Sequence, residues 1–132
     1  MRRPLPIALL AAVALTAALT AALNTMAKDN DQKLLRHVVM FKFKDSVTAE
    51  QVKEVEQAFA ALPGQIDTIV DFEWGTDVSV EGKAKGFTHC FFVSFRDEKG
   101  REVYLPHPAH KRFVKLVGPR LADVLVVDYF AR

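Results

Sequence analysis

The sequence predicts an α+β domain of β-α-β-β-α-β order, in which a four-stranded antiparallel sheet carries its helices on one face. Three observations predict it. Segments at 37–44, 87–95 and 123–130 are rich in β-branched and aromatic residues, with side chains that alternate between two faces. The segment after Thr48 has the spacing of an amphipathic helix behind a capping signal. The breakers Pro63-Gly64, Leu105-Pro106-His107-Pro108 and Gly118-Pro119 fall between these segments rather than inside them.

The chain opens with Met1, Arg2 and Arg3, followed by a run of Ala, Leu, Val and Thr from Ile7 to Leu23. A positive start, an apolar stretch and the small residues of Thr25-Met26-Ala27 have the form of a secretory signal peptide over residues 1–27, cut after Ala27. The same run read as an uncleaved anchor is the alternative, although its Ala and Thr content makes it weakly apolar for a permanent span. The expected location is therefore secreted or periplasmic, with no stable membrane insertion after cleavage. Removing Arg2 and Arg3 leaves sixteen basic residues against sixteen acidic ones. Zero formal charge argues against a nucleic-acid partner, because phosphate binding needs a basic excess on one face. Cys90 is the only cysteine, so no intrachain disulfide can form. About 105 residues without a crosslink must rely on a packed core, which favours oligomerisation.

Residues 28–35 read as a polar tether and 36–132 as the domain. In the first strand, His37 to Lys44, one face carries His37, Val39, Phe41 and Phe43, and Val38 and Met40 begin the other. Asp45-Ser46 ends it. Thr48 and Gln51 are spaced for a reciprocal capping box, and Val52, Val55, Phe59 and Leu62 follow at helical intervals. A second strand spans Ile66 to Trp74, and a polar loop runs from Gly75 to Gly86. In the third strand, Phe87 to Phe95, His89 shares a face with Phe91, Val93 and Phe95, and Cys90, on the opposite face, reads as a small core residue. Arg96 to Tyr104 is predicted as a short helix interrupted by Gly100. Pro108 suits the first turn of a further helix, Ala109 to Val117, with Phe113 and Leu116 inward. Asp123 to Phe130 is the last strand. Together this is the ferredoxin-like βαββαβ plan. Strands one, three and four are apolar on both faces while helices can cover only one. The uncovered face calls for a second copy, sheet against sheet.

The chemistry-bearing candidates are four histidines and one tyrosine. Tyr104 and His110 flank the Pro-stiffened turn, so a phenol and an imidazole can converge on one cavity. A neutral imidazole accepts a proton while a phenol donates a hydrogen bond to an oxyanion, which suits proton abstraction beside a carbonyl or an aldol-type ring closure. His37 and His89 lie on aromatic-rich strand faces, where a satisfied half-buried histidine is the plainer reading. His107 and His110 have a His-x-x-His spacing, but with no acidic residue or cysteine beside them no metal site is expected.

From about Arg36 to Tyr129 the chain resembles the stress-responsive A/B barrel (Dabb) domain family. The resemblance rests on His37-Val-Val-Met-Phe-Lys-Phe-Lys-Asp45, Trp74-Gly-Thr-Asp77, Gly86-Phe-Thr-His89, Tyr104-Leu-Pro-His-Pro-Ala-His110 and Asp128-Tyr129. It implies a ferredoxin-like homodimer forming a dimeric α+β barrel. Its best-understood members are plant polyketide cyclases, which close a poly-β-keto thioester by aldol condensation without a cofactor. Carried over by motif, the resemblance implies His110 as base, Tyr104 as donor to the carbonyl oxygen, and His37 and His89 as substrate-binding pocket residues. His107 is then structural. This chain departs from the pattern at Phe87, where the cyclases have tyrosine. The expected function is an exported homodimer that binds a small hydrophobic, keto or aromatic compound, with cofactor-free acid–base chemistry of the cyclase type. The alternatives are a non-enzymatic stress-response dimer with structural histidines, and an assembly module.

Overall fold

The computed structural model describes residues 34–132, so the signal-peptide reading and tether residues 28–33 lie outside the described residues. Leu35, assigned to the end of the tether, is instead the first residue of β1 and is buried.

The elements run β1 (Leu35–Phe43), α1 (Ala49–Ala60), β2 (Ile69–Thr76), β3 (His89–Phe95), α2 (Glu98–Tyr104), α3 (Pro108–Val117) and β4 (Leu121–Phe130). The strands form one antiparallel sheet in the order β2-β3-β1-β4. This is the predicted ferredoxin-like topology, with the second helical region split in two at the proline bend. β1 is central, pairing with β3 from Leu35 opposite Phe95 to Phe41 opposite His89, and with β4 on its other side.

The capping box forms as read: the Thr48 hydroxyl accepts from the Gln51 N–H, and the Gln51 side chain accepts from the Thr48 N–H. Two orphan donors of the first turn are thereby satisfied. α1 ends at Ala60, and a 3₁₀ turn over Leu62–Gly64 carries the chain toward β2. β2 starts at Ile69, three residues later than predicted. Ile66 is buried, but it packs from the turn, its N–H closing onto the Leu62 carbonyl. β3 likewise begins at His89, and Phe87 lies in the preceding loop.

Two further expectations are corrected. Gly100 does not interrupt α2. A Cβ there would lie 3.2 Å from the Phe95 Cβ, so the missing side chain lets the helix settle directly on β3. Asp97 caps this helix by accepting from the Gly100 N–H. Cys90 is exposed rather than core, because it stands on the face of the sheet that no helix covers.

The core lies between the sheet and the helices. Val39, Phe41, Phe91, Val93 and Phe95 of the sheet meet Val55 and Phe59 of α1, Tyr104 of α2 and Phe113 and Val117 of α3. Phe59 stacks on Phe91 at 4.2 Å between ring centroids and packs on Phe113 at 4.6 Å. Burying each such ring stabilises the fold by about 2–3 kcal/mol. The opposite face stays open: Leu125, Val127 and Tyr129 of β4 are each more than 40% exposed, beside Val38, Met40 and Phe92. Among the described residues no helix is long and apolar enough to cross a membrane.

Candidate functional site

The bend between α2 and α3 builds the site. Asp97 starts α2, which ends at Tyr104. Pro106 and Pro108 then force the chain to turn, and Pro108 occupies the first position of α3. His107 caps α3, its Nδ1 accepting from the Ala109 N–H at 3.1 Å, the structural role implied for it. One turn further on, His110 Nδ1 donates to the Leu105 carbonyl at 2.9 Å. That bond fixes the tautomer: the proton sits on Nδ1, and Nε2 carries the free lone pair. The His110 and Tyr104 rings are 4.3 Å apart, and the His37 ring, reaching over from β1, is 5.7 Å from Tyr104.

These three side chains converge at one end of a cavity of about 540 Å³ between the sheet and the helices. Away from that end its wall is apolar, with Val39, Phe41 and Val126 contributed by the sheet and Phe59, Phe113 and Val117 by the helices. Burial raises the Tyr104 phenol well above its ordinary value, so it remains a protonated donor at any physiological pH. Burial lowers His110. The Leu105 carbonyl opposes that shift, and the neighbouring His37 and His107 reinforce it. The neutral imidazole is therefore favoured, the form with a lone pair that can accept a proton. Among the described residues, no hydrogen bond engages the Tyr104 hydroxyl, which is left available to a ligand.

Two charged side chains at this end, Arg101 and Asp128, were missed by sequence reasoning. The Asp128 carboxylate accepts from His37 Nδ1 through one oxygen at 2.6 Å and from Arg101 Nη1 through the other at 2.6 Å. The only signal was the Asp128-Tyr129 dipeptide, and it gave no partner. The contact depends on the register that sets His37 opposite Asp128 across β1 and β4.

His89 is not brought to this cavity. It sits at the far end of β3, opposite Phe41, and borders a separate concavity under the β2–β3 loop. Both of its ring nitrogens are engaged: Nε2 with the Glu56 carboxylate of α1 at 2.9 Å, and Nδ1 with the Thr88 hydroxyl at 2.8 Å. Trp74 stacks over its ring and Phe43 meets it edge-on. Buried and fully bonded, this histidine ties α1 to the sheet. Among the described residues no group of three or more His, Cys, Asp or Glu is placed to hold a metal ion.

The chain is 37% identical over 95 residues to a stress-response A/B barrel domain-containing protein of Arabidopsis thaliana, covering 72% of this chain and 87% of that one. It is 32% identical over 98 residues to the olivetolic acid cyclase of Cannabis sativa, covering 74% of this chain and 97% of that enzyme. Among solved structures, a dimeric ferredoxin-like protein of unknown function from Thermobifida fusca superposes with a TM-score of 0.65 at 27% identity, covering 74% of this chain and 90% of that one. The model of the stress-responsive A/B barrel domain matches residues 35–131, from the first strand to the end of the last. The chain belongs to the stress-responsive A/B barrel (Dabb) domain family.

Proposed function

We propose that this protein is an exported homodimer that binds a small, largely apolar carbonyl compound and performs acid–base chemistry on it with its own side chains. The observation that carries this reading is the cavity of about 540 Å³, apolar except at the end where Tyr104, His110 and His37 meet beside the Arg101–Asp128 pair. Its size suits one drug-sized ligand, and its few convergent polar groups suit orienting one end of that ligand. His110 Nε2 takes a proton from the carbon beside a carbonyl. The electron pair moves onto the carbonyl oxygen, where the Tyr104 hydroxyl donates to it. The resulting enolate carbon can attack a second carbonyl of the same molecule, its π pair moving to oxygen and the alkoxide taking back the proton held on His110 Nε2, which closes a ring as a cyclase does. The similarity to olivetolic acid cyclase over nearly its whole length supports this reaction class.

Dimerisation is supported by the open sheet face and by the dimeric state of ferredoxin-like relatives from Thermobifida fusca and Bacteroides fragilis. Sedimentation equilibrium should give twice the chain mass, and Leu125→Glu on the open face should shift the equilibrium toward monomer. Export rests on the pattern of residues 1–27. Fractionation of cells expressing the full chain should recover a species beginning at Lys28 outside the cytoplasm, and a product retained in the cytoplasm would refute export.

The site is tested by thermal shift with a panel of phenolic and β-keto compounds, run on the parent and on Tyr104→Phe and His110→Gln. A stabilising compound that both variants lose supports the site. Compounds that bind all three alike, or none that bind, would return the histidines to a purely structural role.

A further inference from the structure

We propose that Arg101 is a positioning residue that keeps His37 a neutral base, acting through Asp128. The inference rests on the cavity being an acid–base site and adds a second base to it. His37 is 6% exposed and its Nδ1 lies 2.6 Å from an Asp128 oxygen. A carboxylate that close, out of water, favours the imidazolium form of its partner, and an imidazolium has no lone pair with which to accept a proton. The second Asp128 oxygen, however, accepts from Arg101 Nη1 at 2.6 Å. The guanidinium is charged at every accessible pH and competes for the same negative charge. With Arg101 and Asp128 balanced, His37 can stay neutral: Nδ1–H donates to Asp128, and Nε2 keeps its lone pair.

The surroundings support this assignment. The charged and titratable groups that face His37 are Asp128 from β4, Arg101 and Tyr104 from α2, and His110 from α3. β3 offers no charged group there: Val93 stands opposite His37 in the ladder, and the Phe95 ring is 6.2 Å away. A protonated His37 would leave a net positive charge at the end of an otherwise apolar cavity, beside an imidazole that burial already holds neutral. With Arg101 in place the cluster carries no net charge, and the cavity presents two neutral imidazoles and a phenol to its ligand. Such an end suits a neutral carbonyl. A carboxylate ligand would find no cation that is not already matched.

The test reads His37 directly and needs no ligand or turnover, so its failure is distinct from failure of the proposed function. Imidazole nitrogen shifts are recorded by two-dimensional NMR on the full chain labelled at histidine, at pH 7.5. The parent should show His37 as the neutral Nδ1–H form, and a fully charged ring in the parent overturns the proposal. Arg101→Met, or Arg101→Gln should the methionine variant not fold, should raise the charged share of His37 on the order of tenfold. Arg101→Lys should restore the parent value. A strut that merely ties α2 to β4 would change the thermal midpoint and leave these signals where they were. In an Asp128→Asn background, Arg101→Met should no longer change the charged share. The same change in both backgrounds would mean that Arg101 acts on His37 without Asp128, which also overturns the proposal.

Discussion

His37 and His89 sit on neighbouring strands, point to the same face of one sheet and are almost equally buried, at 6% and 8% exposed. Both stand among aromatic rings, and both are bonded to a carboxylate. They differ in what is left over. His89 has both nitrogens bonded and packs between Trp74, Phe91 and Phe43. His37 has one nitrogen bonded, and its ring borders a cavity. A buried histidine is a fastener or a reagent according to whether a nitrogen remains unspent, which burial and carboxylate proximity alone do not reveal.

Substitutions can break or sharpen this contrast. The largest effect should come from His89→Ala, which strands the Glu56 carboxylate and removes an aromatic contact. Urea denaturation should show a loss of about 3 kcal/mol with no change in the ligand profile of the Tyr104–His110 cavity. A loss below about 1 kcal/mol would remove the fastener role. His110→Gln should do the opposite, weakening any cavity ligand at least tenfold, roughly 1.4 kcal/mol, while costing about 1 kcal/mol of stability or less, because an amide can still donate to the Leu105 carbonyl. Tyr104→Phe should be gentler still on the fold, within about 0.5 kcal/mol, since the hydroxyl it removes has no hydrogen bond among the described residues. Its effect should appear in ligand affinity alone.

The smallest effect concerns pH. Burial lowers His110 below its ordinary value of 6.5, so the unfolded chain takes up its proton before the folded one does. Stability from this group is therefore complete above about 6.5 and is lost as pH falls below it. The parent should lose thermal stability between neutral pH and pH 5 more steeply than His110→Gln does. Parallel curves would mean that His110 titrates as it does in water.

Features fixed by neighbours in the chain were legible in the sequence. The Thr48–Gln51 capping box, the role of Pro108 at a helix start and the Tyr104–His110 convergence each depend on contacts no more than six residues apart, and each appears as read. The α+β order was legible for the same reason, since period and breakers are local. What failed to show depends on register. His37 meets Asp128 across 91 residues, and Glu56 meets His89 across 33. No local pattern states which carboxylate faces which imidazole, so the two histidines looked alike until the strands were paired. Cys90 was misplaced because strand alternation gives two faces without saying which one the helices cover. Gly100 was taken for a break because propensity weighs a missing Cβ as a cost, whereas close packing on Phe95 makes that space useful.

The strand order carries a kinetic consequence. β1 lies at the centre of the sheet, yet it is the first strand in the described chain, and its partner β4 occupies residues 121–130. Its pairing with β4 brings Leu35 to Phe130, almost the full span of the domain. Chains dominated by such distant pairings pass a high entropic barrier and fold in milliseconds to seconds rather than microseconds. A nascent chain cannot complete the sheet from its first half, and until β4 is available one edge of the central strand β1 stays bare. Folding of the domain therefore waits for β4, and the interval before it is when the chain is most open to proteases, chaperones and pairing with the wrong copy.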